Sequence, residues 1–504
     1  MAGRTSSDVA RPGWGVGSQQ WQALVAVAVT ALAAALRWYH IAFQSLWLDE
    51  AASVSFASGG VLFILQSTFY KEPNPPLYYI LLHFWMNIFG SSELAVRSLS
   101  ALAGTAAVPL LYAVGRRLFT PTAGLCAAFA LAINPFHVWL SQEARGFALL
   151  VLCGLAALYA LIRAVESDRR AWWIAYAAAA FAMLYQHLYG LLWLGALVAI
   201  ALLLGRSPGT LARGATRPPA VVARRNLPWR LAVASAVPLA LYVPWLLTLV
   251  NQFGEPQWRT QVGGLEMLKG TLKTLSVGEE ATQEYGGSWW LLWAALGGLA
   301  FLLPLRFRKH LASVGAVAVW LAVPLLAIYA VSAISPIYAP RYLIILAPAL
   351  CLAVGFTLAM LGRALWPVAL ALAALLAWSA TPVLNATYSL TIKEDFRGAA
   401  AYLREMASPE DAIVIMAGYT EYAFIYYGID GETPLGDVNA PEQVEVALAP
   451  LAERHDRIWF AQSHYKFVDP NGYAEEWLDR HCRPVGERPF TGILITEYAC
   501  GSGR

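Results

Sequence analysis

Apolar residues fall into blocks of near-span length along most of the chain. Eleven blocks, at about 21–42, 96–117, 122–140, 146–165, 171–187, 188–205, 231–250, 288–305, 311–331, 342–361 and 365–382, approach the roughly 20 apolar residues that a helix needs to cross a bilayer core. One further run, "PPLYYILLHFWMNIFG" at 75–90, holds only about 14 apolar residues and reads as a helix lying on or dipping into a leaflet. The pattern changes beyond residue 382. "KEDFRGAAAYLREMA" (393–407) has a helical period, "AIVIMA" (412–417) is a buried-strand run, "YTEYAFIYYG" reads as a helix and "RIWFAQ" as a strand. The expected fold is a polytopic α-helical membrane protein with about eleven spans, an interfacial helix, and a small α/β domain at the C-terminal end. Its divisions are a polar tail at 1–20, a membrane domain at 21–382 with a first outer loop at 43–95, and a soluble domain at 383–504. The first apolar block contains "ALAAA", which imitates a signal peptide, but about 20 polar residues precede it and many spans follow, so it reads as an uncleaved helix.

Composition agrees with this class: 58% of residues are hydrophobic, 13% are charged, and 20 are Trp. The net charge of +3 hides a split, because residues 383–504 carry a net −9 and residues 1–382 a net +12. The basic residues also sort by connection. Arg116 and Arg117, Arg163, Arg169 and Arg170, the six arginines from Arg206 to Arg230, the group Arg306, Arg308 and Lys309, and Arg363 lie in alternate connections, which the positive-inside rule makes cytoplasmic. The other connections, with the C-terminal domain, then lie outside. Crossing by the 75–90 run would break that alternation, which agrees with its shortness. Cys482 and Cys500 are the only cysteines of the C-terminal domain and are expected to pair in an oxidising compartment.

The outer connections hold the chemistry-bearing residues. Asp49 and Glu50 follow the first span in "SLWLDEAASVSF". Lys71 and Glu72 sit in "YKEPNPP", Glu143 and Arg145 in "SQEARG", His187 and Tyr189 in "QHLYG", and Arg341 with Tyr342 in "SPIYAPRY". Each has an ordinary reading: a solvated acidic pair, a lysine snorkelling to head groups, a local ion pair, an interfacial histidine, a membrane-edge arginine. Their convergence on one side of the membrane favours a site, since ionisable groups at membrane depth are costly. No GxxxxGK[ST], HExxH or CxxC is present, and no inner connection is large enough for a nucleotide-binding domain. An outward-facing catalyst without nucleotide needs an activated donor carried by the membrane. A lipid-phosphate donor calls for cations at the phosphate and a carboxylate at the acceptor hydroxyl.

The order and spacing of "WLDEA", "KEPNPPLYYILLHFW", "FGSSELAVRSLSALAG", "NPFHVWLSQEARGFALL" and "APRYLIILAP" resemble the GT-C glycosyltransferases, in the bacterial branch related to protein O-mannosyltransferases and aminoarabinose transferases. The resemblance covers about residues 20–360. It implies transfer of a sugar from a polyprenyl monophosphate, undecaprenyl phosphate included, on the outer face of the bacterial cytoplasmic membrane, with the N-terminus cytoplasmic. Carried onto these positions, it makes Asp49 the acidic residue near the acceptor, with Glu50 beside it. It puts Lys71, Arg341 and Tyr342 at the donor phosphate, and Glu72, Arg145, His187 and Tyr189 among the substrate contacts. Glu143 matches the second acidic loop, where the family often has Asp. Three roles are open to it: holding the acceptor, raising the basicity of Asp49, or binding a divalent cation together with Asp49. The expected partners are the lipid-linked donor, a glycan, lipid or protein acceptor and membrane lipids, with no nucleic acid. The competing class is a secondary transporter or flippase, for which internal repeats and mid-span charges are expected and neither is seen.

Overall fold

The computed structural model describes residues 16–70, 72, 74–206, 221–252, 262–306, 308–431, 435, 438 and 440–500. Lys71, most of the N-terminal tail and much of the 206–230 connection lie outside the described residues.

Seven helices among the described residues are long and apolar enough to cross a membrane. They correspond to seven of the eleven expected blocks. An eighth block, 122–140, is two helices, Pro121–Ile133 (α6) and Pro135–Ser141 (α7), bent by 60°. Pro135 cannot continue the hydrogen-bond ladder of α6, and Asn134 caps the new start by accepting from the His137 N–H at 2.9 Å. The remaining three blocks are shorter apolar helices: Arg170–Leu184 (α9), Gly190–Arg206 (α10) and Trp290–Arg306 (α14). Leu77–Phe89 (α4) is short, as its pattern predicts.

The centre of the bundle is Ala347–Ala364 (α16), which is buried from Ala347 to Met360. It packs most closely on α6. Gly355 permits that approach, because a Cβ there would overlap the Ala127 backbone. Around this pair lie Glu93–Leu118 (α5) and Phe147–Ser167 (α8).

Two features of the end that carries Asp49 differ from expectation. The first outer loop is helical before α4, with Leu48–Ser58 (α2) and Val61–Tyr70 (α3), so Asp49 and Glu50 lie in the first turn of a helix rather than in a loop. The last apolar helix, Trp366–Ser389 (α17), runs past the expected end at 382 and carries Pro382 within it.

The C-terminal domain follows at once. Its sheet has the order β1-β2-β4-β3, with strands Ala412–Ile415 (β1), Arg457–Ser463 (β2), Arg483–Phe490 (β3) and Ile493–Ala499 (β4). β1 and β2 are parallel, while β4 runs antiparallel to both β2 and β3. The βα alternation therefore holds for the first half of the domain and gives way to a hairpin. Cys482 and Cys500 flank that hairpin and are joined by a disulfide, with their Cα atoms 4.4 Å apart. One face of the sheet packs Val414, Ile458 and Phe460 against Pro441–Arg454 (α20). The other buries Ile415, Trp459 and Ile495 with Phe396–Met406 (α18) and reaches Ala51 of α2. The C-terminal domain thus sits directly on the helix that carries Asp49.

Candidate active site

The apolar pattern brings four segments distant in sequence to one place. α2 presents Asp49 and Glu50. The bend between α6 and α7 aims "SQEARG" at α2. The 3₁₀ turn Pro340–Leu346 brings Arg341, and the bent link after α17 brings Lys393.

Glu50 is fully buried. The Arg97 guanidinium grips both its oxygens, with Nε to Oε1 at 2.8 Å and Nη2 to Oε2 at 2.7 Å. Lys393 Nζ donates to Oε2 at 3.0 Å, and the Ala144 N–H donates to Oε1 at 2.8 Å. Burial alone would raise this carboxyl; the Arg97 and Lys393 charges overcome it and hold it at about 2. Arg97 also donates to the carbonyls of Ile41 and Gln44 at 2.8 Å and of Ser45 at 2.9 Å, which fixes the chain as it leaves the first span. A carboxylate sharing the catalytic work of Asp49 would need a free lone pair. Every lone-pair direction of the Glu50 carboxylate meets a protein donor, so it anchors the site and cannot take a substrate proton.

Glu143 is nearly as enclosed, 1% exposed. Its Oε2 accepts from Arg341 Nη2 at 2.8 Å, and its Oε1 lies 3.1 Å from Lys393 Nζ. Lys393 therefore bridges two carboxylates distant in sequence, with its ammonium 5.1 Å from the Trp139 ring and 5.6 Å from Trp47. Arg341 lies over Trp47 at 4.7 Å and Phe147 at 5.3 Å, and its Nε is 3.6 Å from Glu279 Oε1. Arginine suits this place because its planar, weakly hydrated group stacks on rings while donating in plane.

Asp49 behaves differently from its neighbour. Its side chain is 34% exposed, and among the described residues its one ion-pair contact is Arg145 Nη2 at 3.7 Å. Arg145 is itself held loosely, 3.4 Å from each of the Asp49 carbonyl, Ser53 Oγ and Tyr79 OH. Glu72 accepts from the Asn74 backbone N–H at 3.3 Å and side chain at 2.5 Å, and lies at the Tyr79 hydroxyl. His187 and Tyr189 join Tyr342 and Phe147 in an aromatic cluster, with the His187–Tyr342 centroids 4.8 Å apart. His187 Nδ1 accepts from the Tyr189 N–H at 3.1 Å, and Tyr189 OH donates to the Ile337 carbonyl at 2.7 Å.

Every predicted residue in the described part thus comes to one region. Three residues that sequence reasoning did not single out belong with them. Arg97 lies in "ELAVRSLS", where it reads as a membrane-edge charge; its place on the inward face of α5 is the signal. Lys393 reads as an ordinary charge in front of an amphipathic helix; α18 begins only at Phe396, leaving Lys393 free to turn inward. Gln186 is 2% exposed, its amide atoms have no hydrogen-bond partner among the described residues, and it lines a small cavity with Arg145, Phe147 and His187.

The donor set does not fit the divalent cation considered for Asp49 and Glu143. Both Glu143 oxygens already face cationic side chains, and among the described residues no three His, Cys, Asp or Glu side chains come together as ligands. The chemistry derived below uses no metal.

A backbone network makes the C-terminal domain part of the site. Gln44 Oε1 accepts from the Ile392 N–H at 3.1 Å and the Lys393 N–H at 3.3 Å, while its amide donates to the Thr387 and Leu390 carbonyls. Arg397 donates to Glu93 through Nε at 3.0 Å and to the Ala42 carbonyl at 2.9 Å. The Leu46 N–H donates to Tyr427 OH at 2.7 Å. These contacts pin the segment entering α2.

Residues 73–215 match the family model of dolichyl-phosphate-mannose-protein mannosyltransferase. No curated protein matches the chain. Among solved structures, ArnT from Cupriavidus metallidurans in the apo state aligns with a TM-score of 0.59 at 16% identity, covering 95% of this chain and 98% of that one. The same protein bound to undecaprenyl phosphate aligns with a TM-score of 0.57 at 14% identity, covering 97% and 99%. The apo oligosaccharyltransferase of Archaeoglobus fulgidus aligns with a TM-score of 0.54 at 12% identity, covering 97% of this chain and 75% of that one. The family-model match covers only part of the chain, and the chain shares the fold of these structures over nearly its whole length.

Proposed function

We propose that this chain moves a sugar from a polyprenyl monophosphate donor to an acceptor hydroxyl, with inversion, on the membrane face opposite its arginine-rich connections. The observation that carries the reading is the division among three carboxylates. Glu50 and Glu143 are buried and met by cations on both oxygens, while Asp49 keeps an open edge beside them. A general base must reach its proton, and of the three only Asp49 is placed to do so. The donor class is supported by the likeness to an ArnT structure that holds undecaprenyl phosphate.

In the proposed step, the acceptor O–H proton passes to Asp49 as the oxygen attacks the anomeric carbon. The bond from that carbon to the phosphate oxygen breaks, and its electron pair leaves with the lipid phosphate. Arg341, held against Trp47 and Phe147, and Lys71 stabilise the charge growing on the phosphate, and Tyr342 orients it. Arg145, loosely held between Asp49 and Tyr79, positions the base and contacts substrate. His187, Tyr189 and Glu72 shape the surrounding wall. The natural setting is the cytoplasmic membrane of a bacterium, with the basic connections and N-terminus inside, the membrane domain ending near Ser389, and the soluble domain outside.

The test offers purified protein a panel of radiolabelled polyprenyl-phosphate sugars with a membrane extract as acceptor source. Donor-dependent transfer is expected. Asp49→Asn should lower it by about 100-fold or more while leaving expression and melting unchanged. Absence of transfer across the panel by folded protein overturns the reading, and near-normal turnover by Asp49→Asn removes Asp49 as base.

A further inference from the structure

A groove separate from the candidate active site lies between α9 and the long helix Val221–Gln252 (α11). Its volume is about 530 Å³, and it is lined by Arg170, Trp173, Ile174 and Ala177 from one helix and by Trp229, Arg230, Val233, Ala234 and Val237 from the other. On each helix these residues recur at three- and four-residue spacing, so each wall is one helical face about two turns long. Both helices enter the groove at the same end, and the two arginines and Trp229 stand there. Beyond them the walls are entirely apolar.

This is the end that carries the arginine-rich connections, opposite Asp49. The charges in it are not equivalent. Arg230 Nη1 donates to Asp168 Oδ1 at 2.7 Å and to the Asp168 carbonyl at 2.8 Å, and Trp173 Nε1 donates to the same carboxylate at 3.2 Å. Asp168 therefore offsets Arg230 and fixes its position. Arg170 is exposed, and among the described residues no carboxylate pairs with it. It also opens α9 without a side-chain cap, so the first N–H groups of that helix add to its positive field. Trp229, 72% exposed beside it, has the amphipathic ring that favours the head-group level.

We propose that this groove binds one anionic phospholipid from the adjoining leaflet. An acyl chain lies along Ile174, Ala177, Val233 and Val237, and the head-group phosphate sits at Arg170. Charge complementarity selects this occupant over a neutral lipid: the walls satisfy any chain, but only a net anionic head group matches an unpaired arginine at a helix start. The site is independent of the proposed transfer reaction, since it lies at the other end of the bundle and shares none of its residues.

The test is native mass spectrometry of the purified full chain with equal amounts of phosphatidylglycerol and phosphatidylcholine of identical acyl chains. Phosphatidylglycerol is expected to be retained as one bound copy with at least about five-fold preference, the factor set by one surface arginine. Arg170→Gln should erase that preference. Val233→Trp, which fills the groove at a half-exposed position, should remove retention of both lipids at this site with melting unchanged. Equal retention of the two lipids by the wild type, or unaltered phosphatidylglycerol retention in either variant, overturns the proposal.

Discussion

Glu50→Gln tests the electrostatic core of the site. The substitution keeps the side-chain volume and removes the charge, leaving Arg97 and Lys393, 1% and 8% exposed, facing a neutral amide. Removing one partner of a buried ion pair costs about 3–5 kcal/mol, because the other charge stays desolvated. The acidity of Glu50 gives a second route to the magnitude. At about 1.4 kcal/mol per ten-fold change in acidity, a carboxyl carried from 4.5 to about 2 stabilises the fold by about 3 kcal/mol. The folded-state value lies below the unfolded one, so this stability is fully present above about pH 4.5 and is lost as pH falls through about 2. Glu50→Gln is therefore expected to cost about 3 kcal/mol at pH 7 and roughly half of that at pH 3, where wild-type Glu50 is itself losing its advantage. The assay is denaturant unfolding of both proteins in detergent micelles, followed by Trp fluorescence at the two pH values. A cost under about 1 kcal/mol at pH 7, or one that does not shrink on acidification, would refute the reasoning.

Lys393→Met removes the bridge between Glu50 and Glu143 and lets their two segments move apart. Transfer should fall by about 100-fold, with the loss in kcat rather than KM, and Lys393→Arg should restore part of it; a full-rate methionine variant would show that the bridge is dispensable. Arg341→Lys keeps the charge but loses the stacking on Trp47 and Phe147 and the in-plane bond to Glu143, so polyprenyl phosphate binding measured by calorimetry should weaken by about ten-fold. Changing both Cys482 and Cys500 to Ser releases the hairpin that closes the C-terminal domain. An 18-residue separation is worth about 3 kcal/mol, and limited proteolysis should cut β3 faster than in the wild type.

What the sequence alone determined was the part of this protein written in runs. Span-length apolar blocks, arginines in alternate connections and the shift to an acidic, periodic C-terminal segment are local statistics, and the bundle, the short α4 and the small C-terminal sheet follow from them. The proximity of these charged residues was also largely legible, because they gather in the connections at one end of the spans. Their roles were not. Asp49 and Glu50 are adjacent in the same first turn, and sequence offers no way to rank them; the rotation of about 100° between successive helix positions turns Glu50 onto Arg97 and leaves Asp49 open. That choice was made by how α2 packs on α4 and on the helix Glu421–Tyr426 of the C-terminal domain. The break at Asn134–Pro135 was visible as a proline but not as a 60° bend, since a proline tolerated within α17 reads the same in sequence. Lys393 is the clearest case. It stands 343 positions from Glu50, and no local pattern can report a contact made only when the last span returns the chain to the place where the first one left it.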